Sequence, residues 1–191
     1  MRSDNTRTAT LEGSRADFHR YRVDANNVQS EDYYQSMYEI IFRANNVLNF
    51  IDVADEANQA FYEAEARFLR AYAHFNLVRL YGPVPLVTQV AGPEENEILF
   101  TRVPENEIFA QIVLDLEFGV ANLDNRFKSR ASKAGAQALL AKVFLTQENR
   151  NYAGAQQLCE DIINGGEFAL ESDFTDVFYN CLLYTSDAAD E

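Results

Sequence analysis

From Glu31 onward, apolar residues recur at steps of three and four, and that spacing predicts helices. Tyr34, Met37, Tyr38, Ile41, Leu48 and Ile51 line one face over about five turns. Ser30 is the predicted N-cap, with Glu31 and Asp32 at the positive end of the helix dipole. A second helix is predicted from about Glu56 to Leu80. Phe61, Phe68, Tyr72 and Phe75 form its stripe, and Leu69, Ala73 and Leu77 widen it. So broad an apolar face marks a central helix packed against more than one neighbour. Glu63 and Arg67 stand at i,i+4 in the favourable order.

Gly82-Pro83-Val84-Pro85 stops this helix, and the stretch to Val103 is predicted as a long loop. Pro104, taken as the first helical position, with Glu105 and Glu107 after it, opens a third helix. Its stripe is Ile108, Ile112, Leu116, Val120 and Leu123. Ser132 caps a fourth helix with Ala136, Leu139, Leu140, Val143 and Phe144 on its inner face. After a break at Glu148–Asn151, a fifth helix runs from Tyr152 to Asn164, closed by Gly165-Gly166 as a left-handed cap. Residues 1–30 show no sustained period, and their Asn, Asp, Ser, Thr and Arg content predicts loop with room for one short helix. Strand-like alternation never persists beyond about five residues. The fold class is all-α with long loops.

The fourth and fifth helices read as a tetratricopeptide-like pair. Ala136, Leu139, Ala141 and Val143 on one helix leave a gap that Tyr152, Ala155 and Leu158 of the next would fill. Ala64, Phe68, Ala71, Tyr72 and Phe75 look like the first half of another pair. Its second half arrives only after the long loop.

Charge narrows the function. The 191 residues hold 16 Lys and Arg against 30 Asp and Glu, a net charge of −14. Repulsion on that scale argues against nucleic acid and against an anionic leaflet as partners. No apolar run approaches the length of a bilayer span. The tail Cys181–Glu191 continues no earlier pattern and resembles the conceptual translation of a transposase adapter used in short-read library preparation, so it is expected to be non-native. Without its Asp187, Asp190 and Glu191 the net charge is −11, and Cys159 is left as a lone cysteine, a small hydrophobe on a helix. One Cys and two distant histidines, His19 and His74, make no metal site or catalytic triad, and no cofactor is expected. His74 is predicted in the core and His19 on a loop. Glu94, Glu95 and Glu97 are taken as solvated charge.

An ordered series of motifs resembles the SusD/RagB family of surface glycan-binding lipoproteins. It comprises Arg43-Ala44-Asn45-Asn46-Val47-Leu48, the run Ala64 to Tyr72 with Phe75-Asn76-Leu77-Val78, Tyr81-Gly82-Pro83-Val84-Pro85-Leu86-Val87, Arg102-Val103-Pro104, and Lys133 to Val143. The resemblance covers roughly Met1 to Tyr179, so residues 1–180 are expected to be part of a SusD-like helical domain, the N-terminal and middle portion of a longer protein. It implies tetratricopeptide-like pairs, attachment to the outer membrane through an N-terminal lipid absent from this chain, and an outward-facing surface. It also implies oligosaccharide binding without catalysis, and delivery of glycan to a SusC-like TonB-dependent transporter for uptake. A tetratricopeptide-type scaffold for protein partners is the alternative; an all-α glycoside hydrolase would need two carboxylates flanking a cleft, which no pair here suggests.

Sugar recognition needs aromatic faces and planar polar groups. The chain has no Trp. Candidate contacts therefore lie in the irregular opening segment: Arg2, Asp4 and Asn5, then Phe18, Tyr21 and Arg22. Arg43, Asn45, Asn46, Arg67 and Arg70, inside the strongest motifs, are expected to make bonds between helices.

Overall fold

The computed structural model describes residues 13–170 apart from 93, 95 and 128, so the tail at 181–191 lies outside the described residues. Among the described residues there are seven α-helices and no strand: α1 (Gly13–His19), α2 (Val28–Asn49), α3 (Glu56–Tyr81), α4 (Asn96–Phe100), α5 (Glu105–Asn122), α6 (Lys133–Thr146) and α7 (Tyr152–Asn164). Each long helix packs on the next: α2 on α3, α3 on α5, α5 on α6 and α6 on α7. The predicted pairs are α3 with α5 and α6 with α7.

The start of α2 departs from expectation. Asn27, not Ser30, is the cap: its Oδ1 accepts the Ser30 N–H at 3.2 Å. Its Nδ2 donates to the Ser14 carbonyl at 2.8 Å and to Asp17 Oδ2 at 3.2 Å. The buried amide thus caps one helix and ties down another, which a hydroxyl at position 30 could not do. α1 is the short helix allowed for, and His19 is its last residue instead of a loop residue. At the other end, α2 stops at Asn49 and Ile51 enters a 3-10 turn, Ile51–Val53.

α3 is central, as its width predicted, but its closest contacts are made by alanines. Ala64, Ala71 and Ala73 are fully buried together with Leu77, and Phe75 is 2% exposed. Tyr72 and Leu69, assigned to the stripe, are exposed instead. Small side chains let neighbouring helices come close, so alanines share the inward face with Phe75 and Leu77 while Leu69 and Tyr72 face out. Gly82 ends α3 with φ 69°, a conformation that disfavours any side chain, and its N–H donates to the Val78 carbonyl at 3.0 Å.

The following segment holds a helix that periodicity missed, α4, too short to show a period. Glu94 and Glu97 are exposed, in keeping with solvated charge, and Glu95 lies outside the described residues. Pro104 is the cap of α5 and not its first residue. Ile108, Ile112 and Leu116 are fully buried along α5. Ser132 caps α6 as expected, its Oγ accepting the Gly135 N–H at 3.1 Å. Asn151 does the same for α7 through Gly154 at 2.9 Å. Between α6 and α7 the gap is filled by Ala155, while Tyr152 points to solvent. Cys159 is on α7 and exposed. Past α7 the left-handed residue is Gly166, φ 70°, since Gly165 stays right-handed at φ −63°. No helix among the described residues is long and apolar enough to cross a membrane.

Candidate functional site

Three helices meet at a buried guanidinium. Arg70 of α3 donates from Nε to Asp115 Oδ2 at 2.8 Å and from Nη2 to Asp115 Oδ1 at 2.7 Å. This fork-on-fork pair with α5 is shielded from water, Arg70 being 5% and Asp115 0% exposed. Gln111 Nε2 donates to the same carboxylate at 3.0 Å. The third Arg70 nitrogen, Nη1, donates to Asn45 Oδ1 of α2 at 2.9 Å and to the Thr88 carbonyl at 2.8 Å. Asn45 Nδ2 donates to the carbonyls of Val87 at 3.1 Å and Gln89 at 3.0 Å. Three consecutive carbonyls of the loop after α3 are therefore held by two side chains.

Of the five polar residues expected to bridge helices, Asn45 and Arg70 do so here, and Arg67 Nη1 adds an ion pair to Asp115 Oδ1 of α5 at 3.8 Å. Arg67 pairs with Glu63 on its own helix and lays its guanidinium over the Phe118 ring of α5, 4.3 Å from the centroid. Arg43 pairs only with Glu39 one turn away, and Asn46 donates back to the Phe42 carbonyl at 2.8 Å. Both are contacts within α2.

His74 is in the core, as predicted. Its Nδ1 lies 3.2 Å from the Arg70 carbonyl, which makes that nitrogen the protonated one. Nε2 is buried and has no partner among the described residues. Burial, reinforced by the Arg70 charge, pushes its pKa down from 6.5 to about 3. The unfolded chain then takes up a proton below pH 6.5 that the folded chain refuses. Stability from this group is complete above pH 6.5 and falls as pH drops towards about 3. Urea unfolding between pH 6 and pH 4 should show the wild type losing up to ~1.4 kcal/mol per pH unit more than His74→Leu. Parallel pH profiles would contradict this origin.

The anchored loop forms one wall of a cleft of about 350 Å³ between the first turns of α2 and the end of α3. Its lining includes Ser30, Glu31, Tyr34, Tyr81, Val84 and Arg102, with Ala25 at the rim. The Tyr34 and Tyr81 rings meet edge to face, 5.1 Å apart at 87°. The Tyr81 hydroxyl donates to the Ser30 carbonyl at 2.6 Å, bracing one wall against the other. Behind Tyr34, the Tyr38 ring is 4.8 Å away and its hydroxyl donates to the Pro85 carbonyl at 2.7 Å. Burial raises the Tyr38 pKa well above the usual phenol value, so it stays a donor. Arg102 is exposed and makes no hydrogen bond or ion pair with any described residue. A roomier groove of about 470 Å³ between α2 and α3 is walled by Ile40, Val47 and Leu69 and offers few polar groups.

Of the predicted contact residues, Arg2, Asp4 and Asn5 lie outside the described residues. Phe18 is on α1 and half-buried. Tyr21 is 64% exposed with φ 56°, and Arg22 is exposed just after it, its N–H donating to the Asp17 carbonyl at 2.9 Å. They share one tight turn after α1, and Ala25 on the cleft rim follows three residues later. Sequence reasoning passed over Tyr34, Tyr81 and Arg102 as site residues because each belonged to a pattern with a structural explanation. Among the described residues no group of three His, Cys, Asp or Glu side chains is placed to hold a metal ion.

Residues 1–145 match the family profile described as starch-binding, associating with outer membrane, SusD-like. A SusD-like protein of Formosa agariphila is 28% identical over 163 residues, 82% of this chain and 30% of its own length. A crystal structure with xylogluco-oligosaccharide is 27% identical with a TM-score of 0.72, covering 85% of this chain and 35% of that one. A laminarin-binding SusD-like protein is 28% identical with a TM-score of 0.69, covering 78% and 33%. The chain spans about a third of the length of the curated relatives it matches. With the motifs, the helical pairs and a profile match over three quarters of its residues in agreement, the chain belongs to the SusD-like family.

Proposed function

We propose that this chain is part of an outer-membrane surface protein that binds oligosaccharide and passes it to a SusC-like TonB-dependent transporter, without catalysing a reaction itself. The observation that carries this reading is the family match over residues 1–145, joined to a fold shared with one protein crystallised with a xyloglucan fragment and another that binds laminarin. Residues 1–180 belong, on this reading, to the helical domain of such a protein, which is tethered to the membrane by an N-terminal lipid. The acidic balance suits a surface facing neutral glycans, because it presents no general attraction for anionic polymers.

The turn after α1 is one proposed contact region, with Phe18, Tyr21 and Arg22 as its members and Arg2, Asp4 and Asn5 upstream. Tyr21 is the most suitable of these, since its ring is largely open to solvent. Affinity electrophoresis through gels cast with starch, laminarin or xyloglucan tests both levels of the proposal. Retardation of the wild type by at least one glycan is expected, and Tyr21→Ala with Arg22→Ala should weaken it. Mobility of the wild type unchanged in every gel would sink the glycan-binding reading.

A further inference from the structure

Sugars present two faces to a protein: a C–H face that packs on aromatic rings, and a rim of hydroxyls that pair with planar polar groups. The cleft at the head of α2 offers both. Tyr34 and Tyr81 stand nearly perpendicular, so a ring seated between them would meet a face and an edge. Ser30, Glu31 and Arg102 supply a hydroxyl, a carboxylate and a guanidinium around the same space. At about 350 Å³ the volume sits at the small end of ligand cavities, enough for about two sugar rings.

Two further features set this cleft apart from the grooves elsewhere. The walls are fixed before any ligand arrives, by the Tyr81 hydroxyl on the Ser30 carbonyl and the Tyr38 hydroxyl on the Pro85 carbonyl. A prebuilt site loses little freedom on binding. Among the described residues Arg102 has no ion pair or hydrogen bond, although Glu31 lines the same cleft. A guanidinium in the lining with no partner among the described residues has donors available for vicinal hydroxyls.

We propose that the cleft between Tyr34, Tyr81 and Arg102 is a binding subsite for a mono- or disaccharide unit of the glycan. This rests on the glycan-binding reading and names a place for it that is distinct from the turn after α1. Tyrosine carries all the indole-free fluorescence of this chain, which has 10 Tyr and no Trp, so ligand at the cleft can be followed directly. The 191-residue chain is titrated with a maltooligosaccharide, a laminarin oligosaccharide and a xyloglucan oligosaccharide, using tyrosine emission and the broadening of ligand NMR signals. Arg102→Ala, Tyr34→Leu and a control outside the cleft lining, Arg43→Ala, are run beside it, each checked for an unchanged helical spectrum. Loss of charge-assisted bonds should weaken binding by Arg102→Ala about tenfold or more, with Arg43→Ala unaffected. If a sugar binds with equal affinity to wild type and Arg102→Ala, the cleft is not the subsite, and the glycan-binding reading survives. If no sugar in the panel binds the wild type, both fall. Tyr34→Leu decides the aromatic half in the same way: undiminished binding overturns a role for the ring, even if Arg102 matters.

Discussion

Arg70→Met should lower the unfolding free energy by about 3–5 kcal/mol, a large fraction of the roughly 5–15 kcal/mol available to a folded domain. The magnitude follows from what is left behind. Asp115 is fully buried, and two of the three hydrogen bonds reaching its carboxylate come from Arg70. Removing the guanidinium leaves that buried charge with only Gln111 and the more distant Arg67 at 3.8 Å, and it strips the donor from Asn45 Oδ1 and from the Thr88 carbonyl. Met fills the space of the stem, so the loss is mainly electrostatic, with a smaller part from the volume that Cζ and the two Nη atoms leave empty. The companion experiment is Arg70→Met with Asp115→Leu. Because replacing a buried pair is far cheaper than breaking one, the double variant should recover much of the loss. Equal urea midpoints for wild type and Arg70→Met would mean the network holds nothing together.

Phe75→Ala is expected to cost about 3–5 kcal/mol, through lost transfer energy and the void it leaves. Phe75 is 2% exposed, its ring meets Phe109 of α5 at 6.4 Å and 69°, and Arg79 caps its other side at 4.8 Å. The informative control is Leu69→Ala on the same helix. Periodicity placed both residues on the apolar stripe, yet Leu69 is 46% exposed. Its truncation should change stability by no more than about 0.5 kcal/mol. Thermal melts of the two variants separate a stripe read from sequence from the seam that packs. Comparable losses at both positions would put Leu69 back in the core.

That contrast shows where the sequence was legible. The inner residues of α5 and α6, Ile108, Ile112, Leu116, Ala136, Leu140 and Val143, were read directly from spacing. α3 packs between α2 and α5 through alanines as much as through large side chains, so its largest apolar residues do not by themselves mark the buried face. Caps were legible where only one candidate stood at the right offset, as at Ser132. They were misread where a better residue stood nearby, as with Asn27 and Ser30. Asp115 left a faint signal: an acid between Leu114 and Leu116 on a strongly apolar helix. Its partner, 45 positions away on α3, needed the fold to be seen. The cleft was illegible for the same reason. Tyr34, Tyr81 and Arg102 are ordinary residues in sequence, brought together only by the antiparallel run of α2 and α3 and the return of the loop.

The anchored loop bears on how members of this family can diversify. Its first part is fixed at Val87, Thr88 and Gln89, and its return is fixed where the Val103 N–H donates to the Val84 carbonyl at 3.2 Å. The span between these two moorings can change length without disturbing the helices on either side. Lengthening an already long loop costs little, since closure entropy grows only with the logarithm of its size. Insertions just after Val90 are thus a route to new surface beside an unchanged frame, whereas an insertion at Thr88 would break the grip of Arg70 and Asn45 at once.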